Sequence, residues 1–290
     1  MSQRPRSSGR ALWPTLVGLL VAGVAVALLA RQLGWGAQGD SPGGAGQGTT
    51  SSGGGAPRSN GSDPRVGEAY ELVKQADWPA VEALLTPFIE EWPDTPRARF
   101  FLGMAIHKQK NYAQALPHLL AARGEPAFER QETVDYFLGW CLYNLGRLDE
   151  AGEAMGRFVE VQPNEGDGHF VLGLVAYDLN QLEEAEAAFQ RASDLFEEQF
   201  RTVPEQRKAT FAGEMAKAQG RLGDVYFDQD RLQEALQSYS IAVRYIPNHY
   251  VVWYKLSQIF EELGQTQEAE MARQRYEEFR PKQPEEGAGE

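Results

Sequence analysis

Cysteine is nearly absent: Cys141 is the only one in 290 residues. No internal disulfide can form, no cysteine cluster exists for zinc or iron–sulfur, and no cysteine near the amino terminus could accept a lipid. A lone cysteine in an apolar helical stretch reads as a small buried hydrophobe. Histidine is scarce as well. His107, His118, His169 and His249 form no HxxxH pair and sit beside no spaced set of acids. The chain also lacks GxSxG, GxxxxGK[ST] and a GxGxxG that opens a helix after a strand. Acid pairs such as Glu183-Glu184 and Glu197-Glu198 read as solvated helix faces. The residues therefore point to no catalytic group, no metal and no cofactor. Positive charge is short too: the net charge is −13, and residues 63–290 hold 23 basic against 40 acidic side chains. Such a surface repels phosphate backbones, so a nucleic-acid partner is not expected.

Charge is missing altogether from Ala11 to Ala30. Twenty helical residues span about 30 Å, the thickness of a bilayer's hydrocarbon core. Trp13 and Trp35 lie near the two ends, where indoles favour the interface. A cleaved signal peptide would have a shorter apolar run and a small-x-small site, whereas Ala30 is followed by Arg-Gln-Leu-Gly-Trp. An uncleaved transmembrane anchor over residues 11–33 is expected. Arg4, Arg6 and Arg10 precede it, against Arg31 alone just after. The positive-inside bias makes residues 1–10 a cytoplasmic basic tail. The expectation is a single-pass membrane protein, its remainder periplasmic in a bacterium or lumenal in a eukaryote. A mitochondrial address ranks lower, because residues 1–10 are too few and too proline-broken for a targeting helix. Residues 34–62 contain eleven glycines and no apolar cluster. They read as a disordered Gly/Ser linker with an end-to-end distance of roughly 30 Å.

Beyond residue 63 the chain repeats. Leu102-Gly103, Leu138-Gly139, Leu172-Gly173, Leu222-Gly223 and Leu256-Ser257 are spaced by 36, 34, 50 and 34 residues. Twelve residues after each small residue stands an alanine: Ala115, Ala151, Ala185, Ala235, Ala269. Between them an apolar run of helical period ends in a turn, and a second amphipathic run follows. Pro163, Pro247 and Pro281 close three of these second runs. A small residue at a helix crossing lets two backbones approach closely. A degenerate first copy has Ala69 in the small position, Val81 in place of the alanine and Pro93 as its stop. The second copy departs at Gly124-Glu125-Pro126. The sixteen extra residues of the long interval fall around 195–215, where Phe196, Phe200, Phe211 and Met215 keep helical spacing. Longer helices account for them most simply.

On these Leu-Gly pairs, spaced alanines, intervening Leu142, Tyr226 and Phe260, second-helix Phe189 and Tyr239, and closing prolines, residues 63–282 resemble the tetratricopeptide repeat. The resemblance implies an all-α, right-handed superhelical solenoid of about six helical hairpins. Here it would follow one transmembrane helix and a flexible linker. The repeats are expected at about 62–95, 96–129, 132–165, 166–199, 216–249 and 250–283, with extended helices around 195–215 and a disordered tail at 283–290.

In this family the first helices line the concave face. Positions three before, one after and four after each small residue share one helical face. They put Phe100, Met104, Tyr136, Trp140, Tyr143, Phe170, Tyr177 and Phe227 in a ligand-binding groove. Lys108 adds positive charge at one end, and Asp224, Asp228, Glu261 and Glu262 add acid at the other. Such rings suit a peptide segment, though aromatics also fill helical cores. The family's Lys/Asn clamp for acidic carboxy-terminal peptides is not supported, since Phe, Met, Tyr and Trp occupy its places. The function expected is a non-enzymatic scaffold, tethered to a membrane through Ala11–Ala30, that binds a protein or peptide partner in envelope protein assembly or biogenesis. The alternatives are a self-associating structural component, that is, a homo-oligomer, and a glycan-binding module.

Overall fold

The computed structural model describes residues 63–125 and 131–281, and every regular element among them is an α-helix. The helices follow one another in pairs: α1 Pro64–Lys74 with α2 Trp78–Glu91, α3 Pro96–Lys108 with α4 Tyr112–Arg123, and α5 Gln131–Asn144 with α6 Leu148–Val161. Then come α7 Gly166–Asp178 with α8 Leu182–Thr202, α9 Glu205–Asp228 with α10 Leu232–Tyr245, and α11 Tyr250–Glu262 with α12 Thr266–Phe279. The described residues fall into two compact units, one ending at Phe158 and the other starting at Val159.

The single-pass membrane localisation expected from the sequence requires correction. Among the described residues no helix is long and apolar enough to cross a membrane. The longest, α8 and α9, carry charges along their length, such as Glu184, Arg191, Lys208 and Lys217, each costing about 3 kcal/mol at a bilayer centre. The basic tail 1–10, the anchor 11–33, the linker 34–62 and the tail 283–290 lie outside the described residues.

Each hairpin is built around its small residue. A methyl group added at Gly173 would lie 2.6 Å from the Phe189 ring, and one at Gly223 would lie 2.6 Å from the Tyr239 ring. At Gly139 it would meet Met155 Cε at 2.6 Å, and at Gly103 the Leu119 Cγ at 2.9 Å. In every case the opposing side chain comes sixteen residues later, on the second helix. The five spaced alanines are buried, which lets the second helix settle against the first.

The turn inside each hairpin has one geometry in six copies. Ala76, Lys110, Asn180 and Asp230, together with Gly146 and Gly264, adopt φ between 57° and 75°. Each stands seven residues after its small residue. The next N–H bonds the carbonyl five residues back at 2.8–3.2 Å, closing the first helix in a Schellman motif. That same residue's carbonyl accepts the N–H four positions on at 3.0–3.1 Å, which starts the second helix. Glycine marks the left-handed position in only two of the six turns.

Between hairpins, the residue four before the small one does the joining. Arg99 Nε donates to the Pro93 carbonyl, His169 Nε2 lies 2.9 Å from the Pro163 carbonyl oxygen, and Trp253 Nε1 donates to the Pro247 carbonyl at 2.7 Å. The copy without a proline in register uses charge instead. Asp135, only 2% exposed, accepts from Arg123 Nε at 3.0 Å and from Arg157 Nη2 at 2.9 Å, tying α4, α5 and α6 together. In the second unit Gln219 Nε2 donates to Ser193 Oγ at 2.8 Å inside the lengthened α8/α9 pair. Leu195, Phe196, Phe211 and Met215 are buried there, so the sixteen extra residues lengthen two helices and bury their own apolar side chains.

Gly223→Ala should destabilise the fold by about 1–3 kcal/mol, because the added methyl and the Tyr239 ring claim the same space. Lys110→Gly should stabilise it by about 0.5–1 kcal/mol, since a left-handed residue with a side chain pays a steric cost that glycine avoids. Urea titration of the two variants against wild type measures both shifts.

Candidate functional site

In the first unit the first helices α1, α3 and α5 meet through rings. Tyr70 stacks on Phe101 at 6.3 Å, linking α1 to α3. Phe100 and His107 both meet Phe137 edge-on, at 5.8 and 5.2 Å, linking α3 to α5. Cations lie over the same ladder: Lys74 over Tyr70 at 4.9 Å, Arg97 over Phe101 at 5.7 Å and Lys108 over Phe137 at 5.4 Å. Trp140 and Tyr143 make a T-shaped pair at 6.4 Å, and both remain half-buried.

A His–Cys contact sits in this ladder. His107 Nδ1 is 3.3 Å from Cys141 Sγ, and Tyr112 and Phe137 enclose the imidazole. Burial pushes the Cys141 thiol up to about 12. Burial, and then the Lys108 charge, pull His107 down to about 3. The pair is thus a neutral thiol and a neutral imidazole, the reverse of the thiolate–imidazolium pair that a nucleophilic cysteine requires.

In the second unit α7, α9 and α11 meet through polar contacts. Tyr177 of α7 donates its hydroxyl to Asp228 Oδ2 of α9 at 2.6 Å. Lys255 of α11 lies over the Phe227 ring of α9 at 5.1 Å. Behind them Tyr239 donates to Asp224 Oδ1 at 2.7 Å, while Arg221 Nη1 lies 3.4 Å from Asp224 Oδ2. Burial first, and then the carboxylates of Asp224 and Asp228, hold both phenols protonated well above the usual tyrosine range. Burial holds His249 neutral.

The residues expected in a groove divide by burial. Phe100 (1% exposed), Met104 (0%) and Phe170 (8%) lie in the core. Tyr136 is half-buried between Phe137 and Phe158. Trp140, Tyr143, Tyr177 and Phe227 are half-buried on first helices. Trp140 and Tyr143 come together in the first unit; Tyr177 and Phe227 both bear on α9 in the second. Sequence reasoning missed Tyr70, Phe101, Phe137 and Lys255. Tyr70 follows Ala69 as Trp140 follows Gly139, so its register was readable once the degenerate copy was aligned. Phe101, Phe137 and Lys255 stand two before the small residue, a position that meets the neighbouring first helix. His107 touches Phe137 and Phe227 touches Lys255 by that rule.

An imidazole held neutral in the folded chain takes up a proton on unfolding below pH 6.5. The unfolded state then binds more protons, so stability falls as pH drops from 6.5 toward about 3. Between pH 7 and pH 5 wild type should lose up to about 2 kcal/mol through this residue. His107→Phe should flatten that part of the dependence, read as the shift of the urea midpoint between the two pH values.

The tetratricopeptide repeat family matches residues 66–130, 136–199 and 221–284, omitting the stretch where α8 and α9 are lengthened. Among solved structures the chain is similar to a crystal structure of MamA, at 18% identity and TM-score 0.51, covering 61% of this chain and 93% of that one. It is similar to MamA, residue 41 to the end, from Desulfovibrio magneticus RS-1, at 16% identity and TM-score 0.52, covering 63% and 94%. It is similar also to YrrB, a tetratricopeptide repeat protein with an unusual peptide-binding site, at 18% identity and TM-score 0.50, covering 68% and 92%. No curated protein sequence matches the chain. At these identities the structures speak for the fold alone. The family matches span more than half of the sequence, and they fall on the hairpins described above. This chain belongs to the tetratricopeptide repeat family.

Proposed function

We propose that this protein is a non-catalytic interaction scaffold whose first-helix faces bind a segment of a partner protein. The observation that carries the reading is the set of rings left incompletely covered on first helices: Trp140, Tyr143, Tyr177 and Phe227, half-buried, and Tyr254, 46% exposed. Burying a ring of that size is worth roughly 2 kcal/mol. Rings held in place by neighbouring helices lose little conformational freedom when a partner covers the rest. Family membership supports the reading, because tandem hairpins present extended surfaces suited to partner segments. YrrB offers a precedent for a peptide site on this fold. The repeats from about residue 62 to 283 are the units of the scaffold.

A photo-crosslinking residue placed at Trp140 or Tyr177 should capture a discrete partner protein in the source cells. The same residue at Glu153 or Glu184, on exposed second-helix positions, should not. Equal labelling from both sets of positions would overturn the assignment of these faces.

A further inference from the structure

We propose that the hydrogen bond between Gln219 and Ser193 pins the register of the lengthened helices α8 and α9, and so decides which residues of α9 lie beside α7 on the first-helix face of the second unit. The inference stands apart from the scaffold reading, since it concerns how that face is assembled and not what covers it. Gln219 is 7% exposed and Ser193 4%, and the amide Nε2 lies 2.8 Å from the hydroxyl oxygen. Gln219 stands four residues before Gly223, the place from which Arg99, His169 and Trp253 reach a proline carbonyl in other hairpins. Those prolines come 24 residues after the small residue of the preceding hairpin; here that place is Glu197, inside α8. Helix replaces the loop, and the amide turns to a side chain of α8 instead.

The neighbours of the pair along both helices are apolar. Phe189 and Phe196 share the helical face of Ser193 on α8, and Phe211, Met215 and Leu222 share that of Gln219 on α9, all buried. Apolar rows spaced by three to four residues fit each other nearly as well after a slip of one turn, about 6 Å. The short link does not forbid a slip. Val203 and Pro204 join the helices, and Arg201, Thr202, Glu205 and Gln206 on either side are exposed and can unwind. Nor does the bond from Tyr177 to Asp228 forbid it, because Asp224 stands one turn earlier on α9 and offers a carboxylate too. A slip in that sense would put Gly223 and Asp224 where Phe227 and Asp228 lie, and take a ring from the face. The polar pair distinguishes the registers: a slipped one lays the buried amide against Phe189 or Phe196 in place of the hydroxyl. Single buried polar residues set the register of coiled coils in this way, at a cost in stability. The cost is visible here, since Gln219 Oε1 accepts no hydrogen bond from the described residues. An amide bonded at one end only loses more on leaving water than it regains, so register, not stability, accounts for it.

Nitroxide labels at Ala187→Cys on α8 and Ala209→Cys on α9, both exposed, report the register in the full chain, while the buried Cys141 stays unlabelled. Double electron–electron resonance should give one distance with the native pair. In the variant Ser193→Ala, Gln219→Met a second population should appear, shifted by up to about 6 Å. The urea midpoint of that variant should equal or exceed that of the labelled parent, because apolar side chains of similar volume replace a half-bonded pair. A single, unshifted distance in the variant would overturn the proposal. A lower midpoint, or a chain that does not fold, would make the pair an ordinary stabilising contact and overturn it too. Neither result touches the scaffold reading, which the crosslinks at Trp140 and Tyr177 test separately.

Discussion

Where the two helices of a hairpin cross there is room for a ring or for a Cβ, but not for both. Gly173 yields its space to Phe189 and Gly223 to Tyr239, and the same exchange sets Gly103 against Leu119 and Gly139 against Met155. The close approach brings the buried alanines into register and fixes how far the first helix runs before it must turn back. The turn in all six hairpins then follows seven residues later, with a left-handed residue and the same pair of backbone hydrogen bonds. A hairpin of this thickness cannot cover its own apolar sides. It gains stability by leaning on the next one, and the joints are made by whatever lies four residues before the crossing.

Those joints show how one geometry tolerates different chemistry. Arg99, His169 and Trp253 have little in common beyond an N–H at the right reach, and each bonds a proline carbonyl. When the proline is out of register, Asp135 serves with two arginines, a buried carboxylate whose charge is met from both sides. Removing one partner of such a group costs far more than the group contributes when satisfied.

The two faces built on this frame differ in kind. The first unit lines its first helices with a ladder of rings under cations, and its one cysteine is buried there as a neutral thiol. The second unit replaces ring contacts by phenol–carboxylate bonds and ends its first helices in acids. Both follow from residues at the same register positions, so the chemistry of the first-helix face changes from unit to unit while the hairpin stays the same.

Periodicity made the hairpins legible from the chain alone. Backbone approach demands a small residue at each crossing, and that demand leaves a mark at a fixed interval in the sequence. The long interval was legible for the same reason, as two lengthened helices. The turn was not, because the left-handed position is filled by Ala76 and Lys110 as well as by glycine, and tertiary packing outweighs the local penalty. The membrane topology read from residues 11–33 finds no support in the described helices. Of the candidate groove, the sequence showed the shared helical face but not which side chains stay open. Helical spacing placed Phe100, Met104, Trp140 and Tyr177 on one face, but spacing cannot say which ring a neighbouring helix will cover. That was decided by the stacking of one first helix on the next, which sealed Phe100 and Met104 and left Trp140 and Tyr177 partly open, because burial depends on what lies opposite a side chain and not on where it stands in its own helix.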